Sequence, residues 1–484
     1  MTRELGPTRA VAATHPVAVV AALVAANAAI VAFVVGRPEW APLALAALVA
    51  IPILAALVVK LVERPQRGVL LLAALIPLDG LHEIVPYPSG WKEALVLVTL
   101  AATFVAPPEA RAAPGRRLPS WAIVVGAFFA LGVVSAVGVG PEQGLVGLRV
   151  IFFYVLVALA VWRCPLGARE RDHLVTILMV MGVVTAAIGI AQQAIGETRL
   201  VDLGYSFERS VRTAGGYLRS FSTFFTNFPF ALFLMLVLLI GIPSALVDPK
   251  RLRNRLFLLC IPILLGGLIA SITRAAWIGL AVGVVYIGVV RYRSLLVVLA
   301  HGVVWIALAL VVAGGISGVF LSGDSLKDRF DIWGNNISQI AAHPVGQGIG
   351  STGSAADKLT EQSGKSTKDV LQPDNYYFKT TLELGVLGLW LLLLLFVTAF
   401  SSVHNAARSL SQARAPAAPV GEAADAAAAR NLRGYDGALA TGVAASVLAA
   451  ATVSLVATYF EVFPMDAYFW MLLAVVATCV PESR

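Results

Sequence analysis

The sequence predicts an all-α protein that crosses a membrane with about 12 to 14 helices. The chain has 484 residues, of which 58% are hydrophobic and only 13% are charged. Its mean hydropathy is +0.83, whereas a soluble protein carries about 25% charged residues. The apolar residues form long runs, and the basic residues alternate between the connections of those runs. Together these observations predict a polytopic helical membrane protein.

The apolar runs give the predicted number of membrane-spanning helices. A span needs about 20 residues, and most runs approach that length. Two runs, 68–79 and 92–106, are short, which indicates half-spans or tilted helices. We prefer 14 spans, and 12 stays open if both short runs fail to cross. The runs lie at 16–36, 41–59, 68–79, 92–106, 120–138, 148–162, 174–193, 228–246, 256–271, 275–290, 294–314, 377–402, 436–458 and 466–480.

The positions of the basic residues predict which side each connection occupies. With the N-terminus inside, alternate connections place 22 of the 36 lysines and arginines on the inner side. This is the bias that orients membrane proteins, and long loops contribute little to it. Ten of the others lie in just two long outer segments, 194–227 and 315–379. We therefore predict a cytoplasmic membrane protein with both termini in the cytoplasm.

The same topology divides the chain into five segments. Two of them are long polar loops on the predicted outer side, and the second of these is expected to carry short helices. The segments are N-terminal transmembrane helices (1–195), an arginine-rich outer loop (196–227), further transmembrane helices (228–314), a large outer loop (315–376), and C-terminal transmembrane helices (377–484) with a cytoplasmic linker at 403–435.

Composition also excludes some classes of function. The basic residues are scattered over short loops with no basic stripe, so the pI near 9.5 does not indicate nucleic-acid binding. Cys164, Cys260 and Cys479 lie far apart and lack metal-ligand spacing. We therefore expect no metal site, no cofactor and no nucleic-acid partner, whereas membrane lipids are expected partners.

The arginine-rich loop runs against the charge bias of the rest of the chain. It contains Arg199, Arg209, Arg212 and Arg219 on the predicted outer side. An anionic ligand would explain this excess, and local ion pairs in a solvated loop are the alternative.

Arg274 lies between two apolar runs that are joined by almost no loop. The segment Ser271-Ile272-Thr273-Arg274 puts the arginine at or just inside the outer membrane edge, where a charge is costly unless it snorkels or pairs. Either Arg274 is a snorkelling anchor or it binds an anionic head group, because a guanidinium can bind two phosphate oxygens at once.

The large outer loop has candidate functional residues at both of its edges. Arg329 and Trp333 share one face of a predicted amphipathic helix, Leu326–Ala342, which can alternatively lie on the membrane as an interfacial helix. The Gly/Pro turn HPVGQGIG (343–350) follows, and it lacks the pattern of a phosphate-binding loop. We expect function at the edges of the loop and mobility in its middle, from about Ser351 to Asp369.

Asp374 lies where the large loop re-enters the membrane, in the sequence Pro373-Asp374-Asn375-Tyr376. Its carboxylate can accept a proton from a sugar hydroxyl. Aspartate is also a strong helix N-cap, so a capping role for the next span is the alternative, and the two roles can coexist.

In this order, the motifs resemble those of the O-antigen ligase and polymerase family of bacterial membrane glycosyltransferases. The resemblance is carried by RFDIWGNNISQIAAHPVGQGIG (329–350), DNYYFKTTLELGVLGLW (374–390), SITRAAWIGL (271–280) and RSFSTFFTNFPFA (219–231), and it covers about residues 205 to 400.

The resemblance implies a GT-C-like helical enzyme that uses no metal. Its donor would be a glycan on undecaprenyl diphosphate, and its acceptor a lipid or another glycan. The two essential arginines of the family correspond to Arg274 and Arg329, which would hold the diphosphate. The family histidine corresponds to Asp374, which makes Asp374 the candidate base. His82 is another candidate, and a protein that does not follow the ligase chemistry is the third possibility. We also expect substrate contacts from Arg212, Arg219, Trp333, Asn375 and Tyr376.

Two other classes of function stay open at this point. A transporter or flippase for a lipid-linked glycan or polar lipid would need ionisable residues within the spans and broken helices. The spans contain few such residues, His301 being the main exception. A non-catalytic scaffold or receptor of envelope assembly is the third possibility.

Overall fold

The computed structural model describes most of the chain from residue 52 onward. The described ranges are 52–53, 55–85, 87–112, 116–207, 209–302, 323–363, 370–412 and 423–479, and within them the side chains of 323–331 and 423–433 are excluded. The predicted runs at 16–36, most of 41–59 and most of 294–314 therefore lie outside the described residues.

The described chain is helical almost throughout, which confirms the predicted all-α membrane class. Five helices are long and apolar enough to cross a membrane, and two bent helix pairs raise that number to seven. The bends are 53° between α4 and α5, which together replace the predicted single span at 148–162, and 40° between α9 and α10. The total of 12 to 14 stays a prediction. The helices are α1 (Gln66–Leu75), α2 (Trp91–Val105), α3 (Ser120–Val139), α4 (Pro141–Phe152), α5 (Val155–Arg163), α6 (Ala168–Ile195), α7 (Glu197–Asp202), α8 (Asn227–Leu246), α9 (Leu252–Leu259), α10 (Ile261–Ala270), α11 (Arg274–Val290), α12 (Gly323–Ala342), α13 (Gly353–Gln362), α14 (Tyr376–Gln412), α15 (Ala423–Val453) and α16 (Met465–Cys479).

Helix α8 is the centre of the bundle. Its sequence, NFPFALFLMLVLLIGIPSAL, is apolar on every face, and nearly every side chain is buried. A helix that is hydrophobic all round is a buried helix. Helices α6, α10, α11 and α15 pack around it, and α14 packs against α15.

The connections gather at two ends of the bundle. At one end, which we call the arginine-loop end, Gly80 N donates to Thr223 O (2.9 Å), Ser220 N donates to Ala270 O (2.9 Å), and Tyr376 N donates to Ser454 O (2.8 Å). This end therefore brings together the connections before α2, α8, α11, α14 and α16. The connections after α2, α5 and α8 lie at the opposite end, where Ala112 N donates to Arg163 O (2.7 Å). There Arg251 pairs with Asp172 and Arg171 pairs with Asp436.

The two predicted polar loops have more regular structure than the sequence suggested. The arginine-rich loop contains a small hairpin of β1 (Thr213–Ala214) and β2 (Tyr217–Leu218), joined by a Gly-Gly turn. The large loop contains α12 and α13. Helix α13 occupies part of the segment that we expected to be mobile, and it packs against α4.

Candidate active site

The arginine-rich loop is fixed to the end of α6 by a buried glutamine. Gln192 is 3% exposed. Its Oε1 accepts from Phe221 N (3.1 Å) and Ser222 N (2.7 Å), and its Nε2 donates to Ser222 O (2.9 Å). Ser222 has a φ of 56°, a left-handed conformation that is uncommon for a residue with a side chain. The three hydrogen bonds hold the backbone in this conformation and so determine where Arg219 lies.

A second strained turn precedes Arg274. Ile272 has a φ of 50°, which is unfavourable for a β-branched residue. The side chain of Asn227 spans the turn, because its Nδ2 donates to Ser271 O (3.2 Å) and to Thr273 Oγ1 (3.0 Å). Strain of this kind costs about 1–3 kcal/mol and clusters at functional sites. Here it places Arg274 at the first position of α11.

These two turns bring three guanidinium groups together. Arg212 and Arg219 are linked through their backbones (Arg219 N to Arg212 O, 2.8 Å), and Ser220 joins their loop to the end of α10, just before Arg274. Burial lowers the pKa of the half-buried Arg219 guanidinium, and the charges of Arg212 and Arg274 lower it further. We call Arg212, Arg219 and Arg274 the arginine cluster.

Arg219 has unused capacity to bind an anion. Its Nε is buried without a hydrogen-bond partner in the described chain, and no ion pair of Arg219 occurs there. A buried donor left unsatisfied is unfavourable, and a nearby cation makes it more so. A phosphate or diphosphate would relieve both penalties.

The residues around Asp374 divide into a helix cap, a core residue and a partly exposed carboxylate. Asn375 caps α14, because its Oδ1 accepts from Tyr377 N (2.8 Å) and Phe378 N (3.2 Å). The capping role that was the alternative for Asp374 therefore belongs to Asn375. Tyr376 is 1% exposed and packs against Phe460, which is the environment of a core side chain. Asp374 lies just outside the cap and is only partly buried.

Helix α12 lies against the start of α14, as its amphipathic pattern allows. The rings of Trp333 and Phe378 meet edge to face with centroids 5.7 Å apart. Arg329 lies one turn before Trp333 on the same helix, and its side chain lies outside the described residues. The backbone of Arg329 is therefore at the arginine-loop end.

Arg274 and Asp374 lie at the same end of three neighbouring helices. Gly279 of α11 lies directly against Val453 of α15, and the next residue, Ser454, accepts the hydrogen bond from Tyr376 N. Arg274 is five residues before Gly279, or about 7–8 Å along the helix axis, and Asp374 is two residues before Tyr376. A shared site would be excluded if Arg274 and Asp374 lay at opposite ends of the bundle. They lie at the same end.

The HPVGQGIG turn and the motif in α14 form one structural unit. Gly385 breaks α14 with φ 69° and ψ −170°. The turn fills the break, since Gln347 N donates to Leu382 O (2.7 Å), Gly348 N to Glu383 O (3.0 Å) and Val386 N to Pro344 O (3.0 Å). A Cβ on Gly385 would lie 2.5 Å from the backbone of Val345. The two sequence motifs are therefore explained by close backbone contact, and His343, which is exposed, ends α12.

A second group of charges is buried next to this turn, in α14 and in the connection before α16. Lys379 Nζ is 2.7 Å from Glu383 Oε2 and 3.2 Å from Glu461 Oε1, and all three side chains are at most 3% exposed. Thr352 donates through its N (3.3 Å) and Oγ1 (3.1 Å) to Glu383 Oε1. Burial raises the pKa of the Glu461 carboxyl, and Lys379 opposes that shift. We call Lys379, Glu383 and Glu461 the lysine–glutamate cluster.

Sequence reasoning did not identify several of these residues. Gln192, Asn227 and the lysine–glutamate cluster were not predicted as site residues. Lys379 and Glu383 did carry a signal, because an i,i+4 ion pair in an apolar run marks a place of structural or functional interest. His82, the other candidate base, is exposed and contacts Tyr87 edge to face at 5.4 Å.

Fold and geometry define a multi-pass, all-α membrane protein whose loops converge at one end. Residues 256–393 match the family model described as O-antigen ligase, which confirms the resemblance drawn from the motifs. The matched segment runs from α9 to the middle of α14, less than a third of the chain. No curated protein matches the chain significantly. The match supports an O-antigen ligase or polymerase type of function, and hence a glycosyltransferase-like enzyme that works on lipid-linked glycans and acceptors.

Proposed function

We propose that this protein transfers a glycan from undecaprenyl diphosphate to a lipid or glycan acceptor at the outer face of the cytoplasmic membrane. The observation that carries the proposal is the arginine cluster. Three guanidiniums converge on two strained turns, at the end of the bundle where Asp374 lies. A diphosphate lipid fits this position because its tail stays in the bilayer and its charged group reaches the edge.

The arginines stabilise the leaving group in this proposal. Arg219 and Arg274, with Arg212 and Arg329, bind the diphosphate of the donor. As the bond from the anomeric carbon to the diphosphate oxygen breaks, the lipid diphosphate leaves with the electron pair, and its charge grows. Preorganised donors aimed at a growing charge are usually the largest single contribution to catalysis. In this proposal the arginines stabilise the growing charge without a metal ion.

Asp374 acts as the base in the same step. It accepts the proton of the acceptor hydroxyl while the oxygen of that hydroxyl forms the new bond to the anomeric carbon. The cap supplied by Asn375 leaves the carboxylate of Asp374 available for this role. Trp333 lies beside the same helix start and contributes substrate contacts, whereas Asn375 and Tyr376 position Asp374 through the cap and the core.

The distribution of basic residues supports placing the reaction outside the cell. The opposite end of the bundle carries many arginines from short connections, among them Arg111, Arg163 and Arg251. Short basic connections face the cytoplasm, so the arginine-loop end faces outward in this proposal.

One observation favours the transporter as a second candidate. Transporters use broken helices and buried ionisable residues, and α14 is broken at Gly385 beside buried Lys379 and Glu383. The break is filled by the turn at 343–348, however, and Lys379 is already paired with both Glu383 and Glu461. Together with the family match, this makes the transferase the better-supported function.

A transfer assay tests the proposal. Purified protein is incubated with a lipid-diphosphate oligosaccharide and an acceptor, and the products are separated by size. One added unit indicates a ligase and a ladder indicates a polymerase. Arg274→Ala should reduce the rate about 10²–10³-fold, whereas Arg199→Gln, which removes an exposed charge from the same loop, should not. Full activity of Arg274→Ala, or movement of the donor across vesicles without transfer, would contradict the proposal.

A further inference from the structure

A second cavity lies at the opposite end of the bundle, far from the arginine cluster. It has a volume of about 520 Å³ and opens between α6, α8, α9 and α15. Cavities that bind small ligands have volumes of about 300–1,000 Å³. Apolar side chains, including Val175 and Leu439, form part of its wall.

The charge of this cavity is strongly positive. Four guanidiniums line it and only two carboxylates do, so two positive charges are in excess. The lining arginines are Arg169, Arg171, Arg251 and Arg253, and the carboxylates are Asp172 and Asp436.

The two carboxylates are already occupied by three of the arginines. Arg171 binds Asp436 through Nε (2.8 Å) and Nη2 (2.7 Å). Arg251 binds both oxygens of Asp172 at 2.8 and 2.7 Å, and Arg253 Nη1 binds the same Oδ1 at 2.7 Å. These bidentate pairs hold the guanidiniums in fixed positions around the cavity.

Two arginines keep donors for a further anion. Arg169 is exposed at the start of α6, and within the described chain it makes no ion pair or hydrogen bond. Arg253 is 13% exposed, and its Nη2 is buried without a hydrogen-bond partner among the described residues. A buried unsatisfied guanidinium nitrogen needs an explanation, and a bound anion supplies one.

A neighbouring cavity at the same end shows that an excess of charge is not general there. That cavity has a volume of about 730 Å³, and its arginines, Arg64, Arg111 and Arg116, are balanced by three glutamates, Glu63, Glu109 and Glu170.

We propose that the cavity between α6, α8, α9 and α15 binds a phosphate group. Guanidiniums bind phosphate oxygens in pairs, and basic pockets between membrane helices bind anionic lipid head groups. The phosphate can belong to a phospholipid, whose acyl chains follow the apolar wall, or to free phosphate. The site is independent of the proposed transfer reaction.

Binding to the full-length protein in a neutral detergent tests this proposal. Calorimetric titrations use dihexanoyl phosphatidylglycerol, dihexanoyl phosphatidylcholine and inorganic phosphate. We expect saturable binding of phosphatidylglycerol or of inorganic phosphate, and stronger binding than that of the zwitterionic phosphatidylcholine. Tighter binding of phosphatidylglycerol identifies a lipid as the source, and tighter binding of inorganic phosphate identifies a soluble anion.

Matched variants locate the bound phosphate. Arg169→Gln should weaken binding about tenfold or more, because it removes a charge-assisted hydrogen bond. It breaks no described contact, so folding should be preserved. Arg64→Gln, which removes an exposed charge from the balanced cavity, should leave binding unchanged. Absence of saturable binding, or equal binding by wild type and Arg169→Gln, would overturn the proposal.

Discussion

The arginine cluster and the lysine–glutamate cluster lie at the same end of the bundle but differ in how their charges are satisfied. Lys379, between two carboxylates, is fully buried with both partners in place. Arg219 is only half-buried, and its nearest charges are two further guanidiniums, those of Arg212 and Arg274. The lysine–glutamate cluster contains charges of both signs, whereas the arginine cluster contains three like charges that a bound anion would stabilise.

This difference assigns different roles to the two clusters. A buried, mutually paired group links elements of the fold, and here it joins the start of α14 to Thr352 and to the connection before α16. A group of like charges held by strained turns is instead suited to a ligand of opposite charge. Loss of the lysine–glutamate cluster should therefore reduce stability, and loss of the arginine cluster should reduce activity.

Lys379→Met should have the largest effect, and it should act on stability. Removing one partner of a buried ion pair costs about 3–5 kcal/mol, because Glu383 and Glu461 would then be buried without a cation. The expected result is a large drop in the midpoint of thermal unfolding, measured by the intrinsic fluorescence of the detergent-solubilised protein.

A control and a compensating variant make this test specific. Lys60→Met, which removes an exposed lysine at the opposite end of the bundle, should leave the midpoint unchanged. Adding Glu383→Gln and Glu461→Gln to Lys379→Met should restore much of the loss. An unchanged midpoint for Lys379→Met alone would show that the three charges do not stabilise one another.

Asp374→Asn should act on the reaction instead. We expect the transfer rate to fall at least about 10²-fold, which is the lower range for a general base, while the unfolding midpoint stays the same because Asn375 supplies the cap. Asp374→His should keep part of the activity, since imidazole can also accept the proton. The measurement is the initial transfer rate at saturating donor. A rate equal to wild type for Asp374→Asn would assign the base to another residue.

Gly385→Ala should have a smaller effect, on both the unfolding midpoint and the transfer rate. The added Cβ would approach Val345 at 2.5 Å, in a backbone conformation with φ 69°. Overpacking of this kind costs about 1–3 kcal/mol. The turn at 343–350 should pack less tightly against α14, which lowers both the unfolding midpoint and the transfer rate. Gly90→Ala, where an added Cβ contacts nothing, is the control. An unfolding midpoint and a transfer rate equal to those of wild type would show that the turn does not pack closely against Gly385.

The fold class and the main candidate residues could be predicted because their signals are local in the sequence. Apolar runs of spanning length identify membrane helices, and arginines on the side disfavoured by the charge bias identify the unusual loop. Arg274 was conspicuous because two apolar runs meet there with almost no connection.

The remaining features depend on contacts between residues that are distant in the chain. Lys379 lies in the first turn of α14 and Glu461 in the connection before α16, and nothing in the local sequence links them. Capping was the alternative role given to Asp374, but its neighbour Asn375 supplies the cap. Both residue types cap helices, and only the backbone geometry distinguishes them. The start of α4 was missed because its first turn is polar, although the face that carries Gln143 and Gly147 contacts the turn at Ile349.

Binding of the donor's diphosphate is the most direct test of the central claim. Undecaprenyl diphosphate is titrated into nanodiscs that contain wild type, Arg219→Gln, Arg274→Gln or the control Arg199→Gln, and binding is measured without an acceptor. The arginine cluster predicts that affinity falls about tenfold or more for each of the first two variants, with wild-type affinity for Arg199→Gln and unchanged unfolding midpoints. Equal affinity of all four proteins would contradict a diphosphate site at the arginine cluster.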